Sequence, residues 1–509
     1  GDAESRASRR LSVFPDGFGP QAAAAVCAET GEEPEAVREM LRRLEARALL
    51  ESVRQEDGSV RFRQPDPVRT HEVRRLTEAD EADRAHDRLV DWLTPLAEPF
   101  YGPGLPPSAE LSVIRRESGA LRRALEWTLE RHDDRAQALA PPLARLLLED
   151  GRAEEARRLL ERALAVPGPE HRYRASTAWA AAWHAFTEGD HAAALERALD
   201  AARMERALDR PARLILALGL AAACHVELGD PATGQVLGKE AFCLLATVED
   251  DVEAWDQAAL GVTEVLIYLG DEETAVSLLD AYRTRAAATG GERPVYSRER
   301  ESMLAAQIAL AQEEAPRAES ILLAALHRNS GHLRRIWLVC GLAIVSAMRG
   351  NHFRTLLLAE MLERWCAATK IRAEQWWQRR LEKALAVSRA ACGAEQALRA
   401  RRLASQLTPE ALSSWLAEGP ARDTVPAPAV AAARLTGRER EVVALLADGL
   451  TNYQMGRRLG ISVRTVETHL DNIRKKTGLR TRAQIGIWAF VRLGADRADR
   501  ADRVVAVVP

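Results

Sequence analysis

Lysine is scarce in this chain of 509 residues, with 5 lysines against 66 arginines. That skew fits a GC-rich bacterial genome, which is an association and not a physical constraint. Aromatic residues are only 5% of the chain and alternating Val/Ile/Thr runs are nearly absent, which excludes a β-rich fold. No window holds 18 apolar residues in a row, so no membrane span is expected. The first residues lack an apolar h-region, so a secretory signal is absent or already removed. The six cysteines form no C-x-x-C pair, and the eleven histidines no H-E-x-x-H. We expect reduced, buried thiols in a cytoplasmic protein without a metal. A G-x-x-x-x-G-K-[ST] loop is missing as well. Gly234 to Gly238-Lys239 has the wrong spacing and no hydroxyl. With no nucleotide loop, triad or ligand cluster, the expectation is a non-enzyme that needs no cofactor.

What fills the chain is Arg, Ala, Leu and Glu, with apolar residues at helical spacing almost throughout. The length suggests three or four domains of an all-α protein. Residues 1–76 are the mixed stretch. Pro15, Gly17, Gly19 and Pro20 precede an alanine-rich helix near 21–29. A second helix follows Pro34 and carries Val37, Met40, Leu41 and Leu44 on one face. Segments 49–55 and 59–63 flank Glu56-Asp57-Gly58, a hairpin signal. Helix, helix, hairpin is a small winged-helix pattern, read here as structural.

Residues 80–417 hide a repeat. A helix-ending residue is followed five positions later by a small one: Gly151 by Ala156, Gly189 by Ala194, Gly229 by Gly234, Gly270 by Ala275 and Gly350 by Thr355. A weaker copy links Glu313 to Ala318, and a second alanine recurs at Ala163, Ala201 and Ala325. The glycine ends one helix, and the small residue lets the next approach closely. Stacked hairpins then share a core. The period is near 40, so the repeats are tetratricopeptide-like with lengthened helices. Trp179, Trp183 and His184, and the pair Trp376-Trp377, are aromatic clusters that read as core. Residues 418–433 hold three prolines and read as a linker, and 494–509 as a solvated tail.

Residues 434–493 specify four short helices, near 437–448, 452–459, 463–476 and 482–492. Thr436/Glu439, Thr451/Gln454 and Thr481/Gln484 are capping boxes, and Ser462 is a further N-cap. Gly449, Gly460 and Gly478 stand where helices should stop. One core can form from Val442, Leu445, Leu446, Met455, Leu459, Ile461, Val466, Leu470, Ile473, Leu479 and Ile485. The two helices joined through Gly460-Ile461-Ser462 make a helix-turn-helix. The net charge of −3 is misleading, because residues 434–492 alone carry +7 and the remainder −10. Opposite the buried face of the third helix lie Arg464, Thr465, Glu467, Thr468, Asp471, Asn472 and Lys475. Arg474, Lys475 and Lys476 at its end can reach phosphates.

The run Leu435-Thr-Gly-Arg-Glu-Arg-Glu441 with Gly449-Leu-Thr-Asn452, and Ser462-Val-Arg-Thr465-Val466-Glu-Thr-His469-Leu-Asp-Asn472, resemble the LuxR-type DNA-binding domain. The resemblance implies Thr465, Val466 and His469 near phosphates, and Glu467, Thr468 and Asp471 facing base edges. It also implies dimerisation through the fourth helix, where Ile487, Phe490 and Val491 form a spare apolar stripe. The sequence departs from the family at Met455-Gly456, where Ile-Ala is usual and glycine costs about 1 kcal/mol. It departs again at Thr477, where leucine is usual. Glu467 and Asp471 put two acids on the groove face, where they can accept from cytosine N4 or weaken binding. Upstream, Arg10-Leu-Ser-Val-Phe-Pro15-Asp-Gly-Phe18 and Leu121-Arg-Arg-Ala-Leu-Glu-Trp127 resemble the large ATP-binding, MalT-like regulators of the STAND type. Those carry an ATPase domain, which is either lost here or lies before Gly1; ATP is expected only in the second case.

The expected function is a sequence-specific transcription regulator. Its partners would be double-stranded promoter DNA, RNA polymerase, and an unknown effector or protein at the repeats, with a dimer on DNA. The alternatives are a repeat scaffold with secondary DNA binding and a truncated STAND-type regulator.

Overall fold

The computed structural model describes residues 2–27, 34–55, 58–101, 108–169, 171–288, 295–328, 332–369, 371–405, 435–447, 450–477 and 485. Among these the chain is all-α, with 23 α-helices and one two-stranded sheet. It divides into two compact units, Gly1–Leu304 with Thr369–Ile371, and Ala305–Ala368 with Arg372–Pro509.

The first unit contains the expected helices Pro20–Cys27 and Pro34–Ala46. Val37, Leu41 and Leu44 are buried and Met40 is half-buried. Strand β1, Glu51–Arg54, pairs antiparallel with β2, Val60–Arg63, with Glu51 opposite Arg63 and Arg54 opposite Val60. Phe18 exchanges both backbone hydrogen bonds with Phe62, at 2.8 and 2.9 Å, and so ties the turn before the first expected helix to the hairpin.

Two further helices were not legible: Asp2–Leu11 and Asp66–Glu78. The first buries Ser8 and Arg10 beside Ala7 and Leu11, so its inner face lacks an apolar period. Those polar groups are bonded instead. Arg10 donates to the Cys27 carbonyl at 3.3 Å, and Gln64 Nε2 donates to the Ser8 Oγ at 3.4 Å as well as to the Ser8 carbonyl at 2.8 Å. The second runs past residue 76, where the sequence placed the end of this domain.

Helical hairpins follow. In the first unit they are Ala136–Glu149 with Ala153–Ala165, Arg172–Glu188 with His191–Ala207, Pro211–Glu227 with Pro231–Leu244, and Val252–Leu269 with Glu272–Ala288. In each pair the connecting glycine has a left-handed backbone: φ is 76° at Gly151, 87° at Gly189, 85° at Gly229 and 78° at Gly270. That conformation costs a side chain about 1–2 kcal/mol, which is why glycine recurs there. Two hydrogen bonds close each turn, as at Gly189, whose N–H donates to Phe186, while the Asp190 N–H donates to Ala185 at 2.9 Å.

The residue five positions on is fully buried, with Ala156, Ala194 and Ala275 all at 0% exposure. At Gly234 an added Cβ would lie 2.9 Å from the Ala222 carbonyl oxygen, so the partner helix leaves no room for one.

The sequence also held a signal that the repeat pattern overlooked. The residue after the turn caps the next helix: Asp190, Asp230 and Asp271 accept from the N–H three residues on, each at 3.2 Å.

The second unit holds the helix Ala315–Arg328, which follows the turn at Glu313, and the hairpin His332–Met348 with His352–Thr369. Gly350 repeats the left-handed turn with φ 76°, and Glu313 adopts it at φ 58° despite its side chain. Ala318 and Thr355 are buried at the small-residue positions. The helix Gln375–Ala404 is broken at Gly393. Trp377 is fully buried and approaches Gly341, where a Cβ would meet its ring at 3.1 Å, so the Trp376-Trp377 pair belongs to the core.

All six cysteines are free. Cys27, Cys224 and Cys340 are buried as expected, but Cys243 is exposed and Cys366 and Cys392 are half-buried. Among the described residues, no helix is long and apolar enough to cross a membrane.

Candidate nucleic-acid interface

Three of the four expected C-terminal helices lie in the described residues: Gly437–Ala447, Asn452–Leu459 and Val463–Thr477. Each starts where its cap dictates. The Thr436 N–H donates to Glu439 Oε2 at 2.7 Å and the Glu439 N–H to Thr436 Oγ1 at 3.2 Å. Thr451 and Gln454 repeat this exchange at 2.9 and 3.3 Å. Ser462 Oγ accepts from the Thr465 N–H at 3.1 Å and starts the third helix.

These helices close on one core of Val442, Val443, Leu446, Met455, Val466, Leu470, Ile473 and Ile485, with Leu445, Leu459 and Ile461 packed at its edge. Val443 was not foreseen. Leu479 lies outside the described residues, as do Ile487, Phe490, Val491 and, Ile485 apart, the fourth helix.

The turn between the second and third helices explains Gly456. A Cβ there would lie 2.8 Å from the Ile461 carbonyl oxygen, and the Ile461 N–H donates to the Gly456 carbonyl at 3.0 Å. The turn therefore folds back onto the helix at this glycine, which offsets its helical cost. Gly460, with φ 66°, ends the helix as expected.

The outer face of Val463–Thr477 carries Arg464, Thr465, Glu467, Thr468, Asp471, Asn472, Lys475 and Lys476, all exposed, with His469 and Arg474 half-buried. Val466, in contrast, is fully buried in the core.

The charges at the helix end are not equivalent. Arg474 pairs with Asp471 at 2.7 Å, which neutralises one of the two acids on this face. Lys476 Nζ donates to both carboxylate oxygens of Glu439, at 2.8 and 2.7 Å. Burial alone would raise the Glu439 carboxyl. The Lys476 ammonium and the Thr436 donors outweigh it and hold the group below the ordinary carboxylate range. Arg464 and Lys475 have no ion pair among the described residues. The first helix also grips the second: Arg438 donates to the Leu459 carbonyl and pairs with Glu441. The arrangement presents one helix on a packed core, with Arg464 and Lys475 as its cations that have no ion pair among the described residues.

The model of the bacterial regulatory proteins of the luxR family matches residues 433–489. Those residues are a LuxR-family helix-turn-helix domain. Among relatives, the segment is 42% identical over 55 residues to the transcriptional regulatory protein LiaR of Bacillus subtilis, covering 11% of this chain and 26% of LiaR. It is 53% identical over 49 residues to the transcriptional regulatory protein SgaR of Hyphomicrobium methylovorum, 10% of this chain and 23% of SgaR. It is 40% identical over 55 residues to the nitrate/nitrite response regulator NarL of Escherichia coli K12, 11% of this chain and 26% of NarL. The chain thus spans about a quarter of the length of these relatives. A STAND-type signal transduction ATPase with a tetratricopeptide repeat sensor, from Pyrococcus horikoshii, aligns over 82% of this chain and 65% of its own. That alignment has 14% identity and a TM-score of 0.39.

Proposed function

We infer that this chain is a DNA-binding transcription regulator in which Val463–Thr477 enters the major groove of promoter DNA. The observation that carries the reading is the third helix itself. It is capped by Ser462, anchored through Val466, Leu470 and Ile473, and turned outward with a polar, partly basic face inside a LuxR-family domain.

In this reading Arg464, Thr465, His469 and Lys475 contact phosphates, while Glu467, Thr468 and Asn472 face base edges. Asp471 is drawn toward Arg474, and Lys476 serves Glu439 rather than the DNA. The dimer contact through Ile487, Phe490 and Val491 and any contact with RNA polymerase belong to the same proposal. The helical hairpins then sense an effector or protein partner, and its binding shifts the availability of the DNA-binding domains. The protein acts by binding rather than by catalysis, in keeping with relatives that are regulators.

The test is selection of duplexes from a random pool by the full chain. Enrichment of one motif, lost when Thr468 and Asn472 are both replaced by alanine, supports the reading. Recovery without enrichment contradicts it.

A further inference from the structure

The first unit contains a cavity of about 350 Å³ that the DNA-binding reading does not use. Pro15 and Asp16, from the turn after the first helix, border it on one side. Four arginines, Arg115, Arg122, Arg123 and Arg152, converge on it from three separate helical segments, and Leu143 and Leu147 give it an apolar wall.

Its charges are only partly matched. Arg115 pairs with Asp150 at 2.8 Å. Arg122, at 3.2 Å, and Arg152 share the single carboxylate of Glu155. Arg123 meets no carboxylate among the described residues; its Nε donates to His86 Nε2 at 3.2 Å. The Nδ1 of His86 lies 2.8 Å from the Ala82 carbonyl, which fixes the proton on that nitrogen and leaves Nε2 as the acceptor. Burial holds this imidazole neutral, with its pKa below the ordinary value. The Arg123 charge is therefore anchored but not neutralised. Two carboxylates at the rim, Asp16 and Glu126, likewise have no ion pair among the described residues.

The start of the helix Ser118–Glu130 also opens into the cavity, and no side chain caps it. A Cβ at Gly119 would lie 1.8 Å from Asp16 Oδ2, so glycine lets a carboxylate oxygen reach the helix end. Asp16 already faces that helix end, so the donors left for an oxyanion in this concave site are the unneutralised guanidinium of Arg123 and the guanidinium of Arg122, which shares its carboxylate with Arg152. The free carboxylate of Glu126 faces the same space and suits a hydroxyl or ammonium on the same ligand.

We propose that this cavity binds a small metabolite carrying a phosphate or carboxylate group together with hydroxyl or ammonium donors. Arg123 and Arg122 hold the oxyanion, and Glu126 accepts from the donor end.

The experiment is a calorimetric titration of the full chain, with inorganic phosphate and glucose 6-phosphate as the phosphate arm and acetate and L-glutamate as the carboxylate arm. Saturable binding in either arm is expected, and the arm that binds identifies the oxyanion. Arg123→Gln should weaken it at least about tenfold, the loss of one charge-assisted bond. Arg122→Gln, at a side chain 40% exposed, should also weaken it while leaving the fold and its circular dichroism intact. Glu126→Gln should weaken glutamate or glucose 6-phosphate but not acetate or inorganic phosphate. No saturable binding in either arm, or parent-like affinity in Arg122→Gln, would overturn the proposal.

Discussion

Lys476 and Glu439, 37 residues apart in the chain, form a two-pronged ion pair that fastens the third helix of the DNA-binding domain to the cap of the first. Glu439 is only 4% exposed at its side chain and Lys476 is 38% exposed, so the pair is half sheltered from water. Removing the ammonium leaves a buried carboxylate short of donors. Lys476→Gln should therefore destabilise the domain by about 1–3 kcal/mol. The double variant with Glu439→Gln should lose less than the two single losses together. Hydrogen exchange of the amides of 437–477 reads both.

The same pair sets a pH dependence. The folded-state pKa of Glu439 lies below its ordinary value of 4.5, so its contribution is fully present above that value. It is lost as pH falls through the lowered folded-state pKa. Exchange protection in 437–477 should therefore weaken below about pH 4.5. Glu439→Gln should flatten that part of the profile, and an unchanged profile would count against the pair.

His184 gives a second, separate titration. It is 3% exposed, and burial, helped by the charge of Arg145, pushes its pKa down to about 3. The unfolded chain binds this proton near the ordinary value of 6.5. Stability from His184 is therefore present above that value and lost as pH falls toward 3, with a slope of about 1.4 kcal/mol per pH unit. Denaturant titrations across that window should show the slope in the parent and lose it in His184→Leu.

The repeat turns differ in strain. Glu313 holds the left-handed conformation that glycine supplies at the other turns. Glu313→Gly should leave stability unchanged or raise it by up to about 1 kcal/mol, the relief of strain set against the flexibility of glycine. Gly270→Ala should lower it by about 1–2 kcal/mol. Thermal denaturation of the two variants tests this: Gly270→Ala should melt below the parent and Glu313→Gly should not.

These particulars show what a sequence can carry. A left-handed turn favours glycine, and close helix packing favours a small side chain, so Gly189 with Ala194 was readable as a repeat from residue types alone. The capping boxes at Thr436 and Thr451 were readable for the same reason, since a local bond needs a fixed spacing. The caps Asp190, Asp230 and Asp271 are equally local, each bonding the N–H three residues on.

The helix Asp2–Leu11 was not readable, because its buried face is half polar and satisfied by distant partners. The Lys476–Glu439 pair was not readable either, because nothing near Lys476 in sequence points to Glu439. The cavity beside Arg123 depends on segments more than 100 residues apart, and no spacing announces it.

The central claim, that Val463–Thr477 engages the DNA backbone, is tested most directly by the salt dependence of duplex binding by the full chain. Lys475→Gln should reduce the slope of log affinity against log salt by about one, the loss of one phosphate contact. Lys476→Gln, measured where the domain remains folded, should leave the slope at the parent value. An unchanged slope in Lys475→Gln would contradict the assignment of this helix to the DNA.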